Sequence, residues 1–130
     1  MLDIKIRTIA DQLQRYNTVG DYQTDEDGSE LFSISDMGDA RYEFLIAIHE
    51  LVESMLCKER GITEAAIDAF DTAYEANRPE GDITSEAGDD PAAPYNKEHV
   101  FATKIEWMVA EELGVDWDVY CQACAQLTKE

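Results

Sequence analysis

Apolar residues recur at two different periods along the chain, and the change from one to the other divides it. Leu2, Ile4 and Ile6 alternate with Asp3, Lys5 and Arg7, the period-two signature of a half-buried strand over Leu2 to Thr8. Ala10 to Tyr16 reads as a short helical turn or a loop, and a second strand-like segment with Val19 and Tyr22 begins near Asn17. Asp25, Glu26, Asp27 and Gly28 supply a hairpin turn, Gly28 taking the positive φ such turns require, and Leu31 to Ile34 form the return strand. A small antiparallel sheet is therefore expected first.

Beyond Asp36 the period becomes helical. In YEFLIAIHELVESMLC, Tyr42, Leu45, Ile46, His49, Val52, Glu53 and Leu56 share one face at about 100° per residue. The acidic residues between Asp36 and Asp39 suit the start of this helix, and it stops near Gly61 after Lys58 and Arg60. Thr63 caps a second helix with the stripe Ala66, Ile67, Phe70 and Tyr74, its acidic residues forming solvated surface. From Asn77 to Asn96 the composition turns to Pro, Gly, Ser and acid. At about twenty residues this loop is longer than compact domains leave without a reason. Asn96 caps a third helix ending at Gly114, with the stripe Phe101, Ala102, Ile105, Met108 and Val109. A last helix, Asp116 to Leu127, offers Trp117, Tyr120, Cys121 and Cys124 for burial. The pattern predicts an α+β fold in one domain over residues 1–130: a strand-rich part (1–35) and a part with three to four helices (36–130) that carries the acidic loop 77–96.

A chain of 130 residues can bury a modest core. Ten basic against twenty-nine acidic residues give a net charge of −19, which excludes direct binding to a nucleic-acid backbone or an anionic membrane. Cations and basic proteins remain. No apolar run approaches the ~18 residues of a membrane span, and MLDIKIRTI lacks the layout of a signal peptide. Three cysteines, an odd number, fit reduced thiols, so a cytoplasmic location is expected. Cys121 and Cys124 form a CxxC, read with Cys57 as small buried thiols rather than a thiolate metal site.

The candidate chemistry sits in the first long helix. His49 and Glu53 lie one turn apart inside its apolar stripe, with Glu50 at the stripe's edge. Burying a carboxylate unpaired costs several kcal/mol, so the pair needs a partner. The plain solution is a hydrogen bond between the two, or to Lys104 and Arg41 across a helix pair. The other is a metal ion held by His49, Glu53 and a third ligand, Glu98 or His99, from the start of the third helix. The stripe extended back by one turn meets Glu98, with His99 turned toward Ala102 and Glu106, so the wheel favours Glu98. Glu50 is then placed to take a proton from water.

HELVE followed by EHVFA resembles the zincin metallopeptidases, in particular the small ImmA/IrrE-like type. The resemblance implies a zincin-like core in which His49 is the first ligand, Glu50 the general base, Glu53 the second ligand and Glu98 the third. It implies zinc as the cofactor and a peptidase-like metal-dependent hydrolase, or a degenerate, inactive relative. Glu53 stands where that family has His, and two carboxylates with one imidazole open the site to iron or manganese. The chain as a whole is similar to uncharacterised small proteins of phages and prophages, through RYEFLIAIHELVE, DDPAAPYNKEH and FATKIEWMVAEELGVDWD. This places it in the host cytoplasm and implies no activity.

Two other functions fit the sequence. The acid balance suits a non-enzymatic phage accessory protein that binds a host factor by imitating nucleic-acid charge. Glu50, Glu53, Glu111 and Glu112 could instead form the magnesium cluster of a MazG-like nucleotide pyrophosphohydrolase, although Glu112 and Asp116 are four apart where that family has three. The partner expected is a protein or peptide, and the sequence sets no oligomeric state.

Overall fold

The computed structural model describes residues 1–129. Three strands, β1 (Ile4–Ile9), β2 (Gly20–Thr24) and β3 (Glu30–Ser35), precede four helices, α1 (Ala40–Glu59), α2 (Glu64–Ala76), α3 (Asn96–Leu113) and α4 (Trp117–Lys129). Short 3-10 turns occupy Asp11–Leu13 and Ala87–Asp89. The fold is α+β, as the two periods predict.

The sheet is mixed rather than antiparallel. Its order is β1-β3-β2: β2 and β3 form the expected hairpin, with Tyr22 opposite Phe32, while β1 lies parallel to β3, with Ile6 opposite Phe32. Alternation identifies a strand but carries no information on its direction or its neighbour. Here residues 10–19 carry the chain past the sheet to its far edge, and the hairpin folds β3 back into the gap. At the turn, Gly28 adopts φ +85° and its N–H bonds Asp25 O at 3.0 Å. As an edge strand, β1 buries less than its pattern implies: Leu2 lies outside the strand and is exposed, Ile6 is exposed within it, and Lys5 and Arg7 blunt the free edge.

The core forms where β3 meets α1 and the ends of α3 and α4. Ile34, Leu45, Ile46, Ala110, Val115 and Tyr120 pack together there. A smaller cluster of Cys57, Ile67, Ala93 and Tyr95 joins α1 to α2 and the long loop. Asp39 caps α1, accepting from Arg41 N at 2.9 Å, and Thr63 caps α2, accepting from Ala66 N at 3.1 Å. Asn96 is the first residue of α3 rather than its cap, and its side-chain amide donates to Gly88 O at 2.9 Å. That bond fastens the long loop over the start of the helix.

Two helices bury faces other than their apolar stripes. On α2, Asp71 is buried and not solvated, because it receives hydrogen bonds from Tyr16 (3.2 Å) and Tyr95, while Ala66 is exposed. On α3, the buried positions are Glu98, His99, Ala102, Glu106 and Ala110, while Phe101 and Met108 face outward. Cys121 is likewise exposed, since α4 turns Tyr120 inward and leaves its neighbour outside. Among the described residues no helix is long and apolar enough to cross a membrane.

Candidate metal centre

α1 and α3 lie side by side and run in opposite directions, and their facing sides carry the buried charge. His49 and Glu53, one turn apart on α1, put Nε2 and Oε2 3.0 Å from each other. From α3, His99 brings Nδ1 to 2.9 Å from the same Glu53 oxygen and 3.2 Å from His49 Nε2. Donors held at about 2.0–2.1 Å by a tetrahedral zinc stand roughly 3.3 Å apart, so this triangle needs to widen by only a few tenths of an ångström to accept an ion. All three side chains are buried.

The outward-facing atom of each donor is also held. His49 Nδ1 lies 2.8 Å from Glu106 Oε1, and the other oxygen of Glu106 accepts from Tyr120 Oη at 2.5 Å. His99 Nε2 lies 3.1 Å from Glu86 and 3.3 Å from Asp89, both on the long loop. Glu53 Oε1 accepts from Tyr22 Oη at 3.1 Å. An imidazole fixed at one nitrogen by a carboxylate offers the other in a set direction, the arrangement that orients metal-binding histidines.

Two glycines allow this assembly. A Cβ on Gly20 would stand 2.6 Å from Ile46 Cγ2 and 2.9 Å from Glu50 Cγ, so only glycine lets β2 approach α1 this closely. A Cβ on Gly88 would overlap the imidazole of His99. The 3-10 turn therefore lies flat against that ring.

The electrostatics follow from the crowding. Burial works against a charged His99, but Asp89, Glu53 and Glu86 outweigh it and push its pKa up to about 12. Burial is likewise outweighed at His49, where Glu106 and Glu53 raise the pKa well above the ordinary imidazole value. At Glu53 burial opposes ionisation, yet both imidazoles together lower its pKa to about 2. Glu50 moves the other way: burial, then repulsion from Glu53, raise it well above the ordinary carboxylate range. The neighbouring carboxylates thus favour the charged form of both imidazoles.

The predicted residues do not all meet. His49, Glu53 and His99 converge, and Glu50 lines the same cavity of about 380 Å³. Glu98, favoured by the wheel, is buried but pairs with Arg60 at 2.6 Å. The wheel assumed that the apolar stripe of α3 faces inward, whereas its polar side does. Lys104 and Arg41 are exposed and take no part. Glu111 and Glu112 are exposed at the far end of α3, and Asp116 caps α4, accepting from Val119 N at 3.1 Å. Glu86, Asp89, Glu106 and Tyr120 complete the cluster; the sequence puts Glu106 on the face of His99 and Tyr120 among the buried candidates, but gives none of the four a part in the site. Comparison with protein-family models, curated proteins and solved structures finds no match to this chain.

Proposed function

We propose that His49, Glu53 and His99 hold a divalent metal ion, zinc in the first place, in a metal-dependent hydrolase with Glu50 as its base. The observation that carries this reading is the convergence of three ligand atoms within 3.2 Å of one another, each side chain anchored from behind. The donor set is two imidazoles and one carboxylate, the same as in His₂Glu catalytic zinc sites. The two-carboxylate set with Glu98 is replaced by one with His99, the alternative third ligand: the carboxylate comes from α1 and the second imidazole from α3.

Zinc in such a site polarises a carbonyl and makes a bound water acidic near neutral pH. The chain supplies the rest. Glu50, one residue after His49 and facing the same cavity, accepts the proton from water and returns it to the leaving group. Glu106 and Tyr120 keep His49 in one orientation through the cycle.

The cavity also sets the charge of what enters. Asp21, Glu64, Asp68, Asp71 and Glu75 line it, with Arg78 and the two histidines as the basic groups among its described lining residues. This favours an amide or ester substrate bearing positive charge, such as a basic peptide, and repels phosphate esters. The sheet edge β2 forms one wall through Gly20, Asp21 and Tyr22.

The test is hydrolysis of a fluorogenic peptide library by the zinc-loaded protein and by Glu50→Gln. The reading requires the variant to bind zinc as tightly as wild type and to lose roughly 10²–10⁴-fold in turnover. Turnover unchanged in Glu50→Gln contradicts it.

A further inference from the structure

We propose that Glu86, Asp89 and the Nε2 atom of His99 form a second divalent-cation site at the edge of the cavity, so that His99 stands between two ions. The observation behind it is a surplus of acceptors. His99 Nε2 lies 3.1 Å from Glu86 Oε2 and 3.3 Å from Asp89 Oδ1. A ring nitrogen carries a single proton, which one carboxylate uses up. Among the described residues neither Glu86 nor Asp89 pairs with a lysine or an arginine. Two other acids of the same loop are provided for: Asp82 accepts from Thr84 N and Ser85 N, each at 3.1 Å, and Asp90 from Ala92 N at 2.9 Å.

The local fold brings the three donors together. Glu86 and Asp89 stand at the two ends of the 3-10 turn that lies against the imidazole, where Gly88 has no Cβ to hold it off. Asn96 fastens that turn through the Gly88 carbonyl. The turn thus presents both carboxylates to the outer nitrogen of His99, while His49 and Glu53 meet the inner one. His99 is only 7% exposed, whereas the side chains of Glu86 and Asp89 are each 59% exposed. The nitrogen is therefore fixed from the protein side, and water can complete the shell of an ion.

One imidazole nitrogen with two carboxylate oxygens suits zinc or manganese. Around an ion with bonds of about 2.1 Å, neighbouring ligands stand roughly 3.0–3.4 Å apart, which is the spacing of both carboxylates from Nε2. Binding releases the Nε2 proton to solvent. When the inner site is filled as well, both ring protons have left and His99 is an imidazolate bridge. The outer site needs only Nε2 and stands apart from the hydrolase reading; the bridge rests on that reading. An outer ion also gives the long acidic loop a task, since it ties the loop to the start of α3 beside the cavity. With two ligands more than half exposed, it exchanges with solvent and does not survive gel filtration.

The test is zinc content at equilibrium, by dialysis of the full chain against buffered free zinc followed by elemental mass spectrometry, with circular dichroism as the check on folding. Wild type should reach two zinc ions per chain. Glu86→Gln/Asp89→Asn should reach one, held by His49, Glu53 and His99, and Glu53→Gln should keep the outer one. Glu111→Gln/Glu112→Gln removes as much charge from exposed positions at the far end of α3 and should still reach two. Copper(II) in place of zinc reads the bridge, because two such ions across one imidazolate couple antiferromagnetically. Wild type should then show less paramagnetic resonance signal than its copper content, and Glu86→Gln/Asp89→Asn the full signal.

A single zinc in wild type that Glu86→Gln/Asp89→Asn retains would overturn the second site and leave the hydrolase ligands standing. A single zinc that this variant loses and Glu53→Gln keeps would support the outer site and overturn the hydrolase ligands. A second zinc lost equally in Glu111→Gln/Glu112→Gln would be an effect of net charge and would overturn the site. Full signal from doubly loaded wild type would overturn the bridge, and no zinc in wild type would overturn both sites.

Discussion

Glu106 stands directly behind His49: its Oε1 lies 2.8 Å from Nδ1, which turns Nε2 toward Glu53 and His99. This carboxylate orients the ring. Glu106→Gln keeps the shape but cannot stabilise positive charge on the ring, and Glu106→Ala removes the support. Zinc affinity measured by competition with a chromophoric chelator should fall roughly 10–100-fold in Glu106→Ala, and less in Glu106→Gln. Equal affinity in all three proteins would show that His49 is positioned by something else.

The pH dependence of metal-free stability carries a definite sign. His99 is raised to about 12, so its contribution is fully present below the unfolded imidazole value, about 6.5, and is lost as pH rises toward 12. Glu53 is lowered to about 2, so its contribution is present above about 4.5 and is lost as pH falls through 2. Thermal unfolding with a chelator present should show the cluster's contribution greatest between these limits and declining on the alkaline side. Zinc should abolish that alkaline decline, because the ion replaces the protons. A metal-free protein whose midpoint keeps rising above pH 7 would contradict the imidazolium cluster.

Asp71 has the opposite sign. Burial raises its carboxyl to about 6, outweighing the hydrogen bonds from Tyr95 and Tyr16. A carboxyl raised in the fold destabilises it increasingly as pH climbs from the unfolded value through 6. Asp71→Asn accepts from Tyr95 through its amide oxygen and can donate to Tyr16 through its nitrogen, without ionising. Relative to wild type it should gain stability on the order of 2 kcal/mol between pH 4 and pH 7, measured by urea unfolding. A difference that does not change with pH would place ionised Asp71 in a better solvated setting.

The sequence was legible where a single rule dominated. Asp39, Thr63 and Gly114 fixed helix ends through local capping, and the turn at Gly28 fixed the hairpin. The partner of β1 was not legible, because strand pairing is decided by the route of the connecting chain and not by alternation. The site was half legible. A His and a Glu in the middle of the α1 stripe marked that face correctly. The third ligand was missed because α3 was read by hydrophobicity, and its most apolar face is its exposed one. A helix that buries charge and exposes Phe101 and Met108 reverses the usual reading, and the reversal is intelligible only once His49 and Glu53 are known to lie opposite.

The central claim is that His49, Glu53 and His99 are the ligands, and it separates His99 from its neighbour. The decisive measurement is metal content by elemental mass spectrometry after loading with zinc and gel filtration, for wild type, His99→Ala and Glu98→Gln. Circular dichroism serves as the check on folding. The account predicts near-stoichiometric zinc in wild type and in Glu98→Gln, whose residue pairs with Arg60, and none in folded His99→Ala. Zinc absent from wild type, or retained in full by His99→Ala, would contradict it.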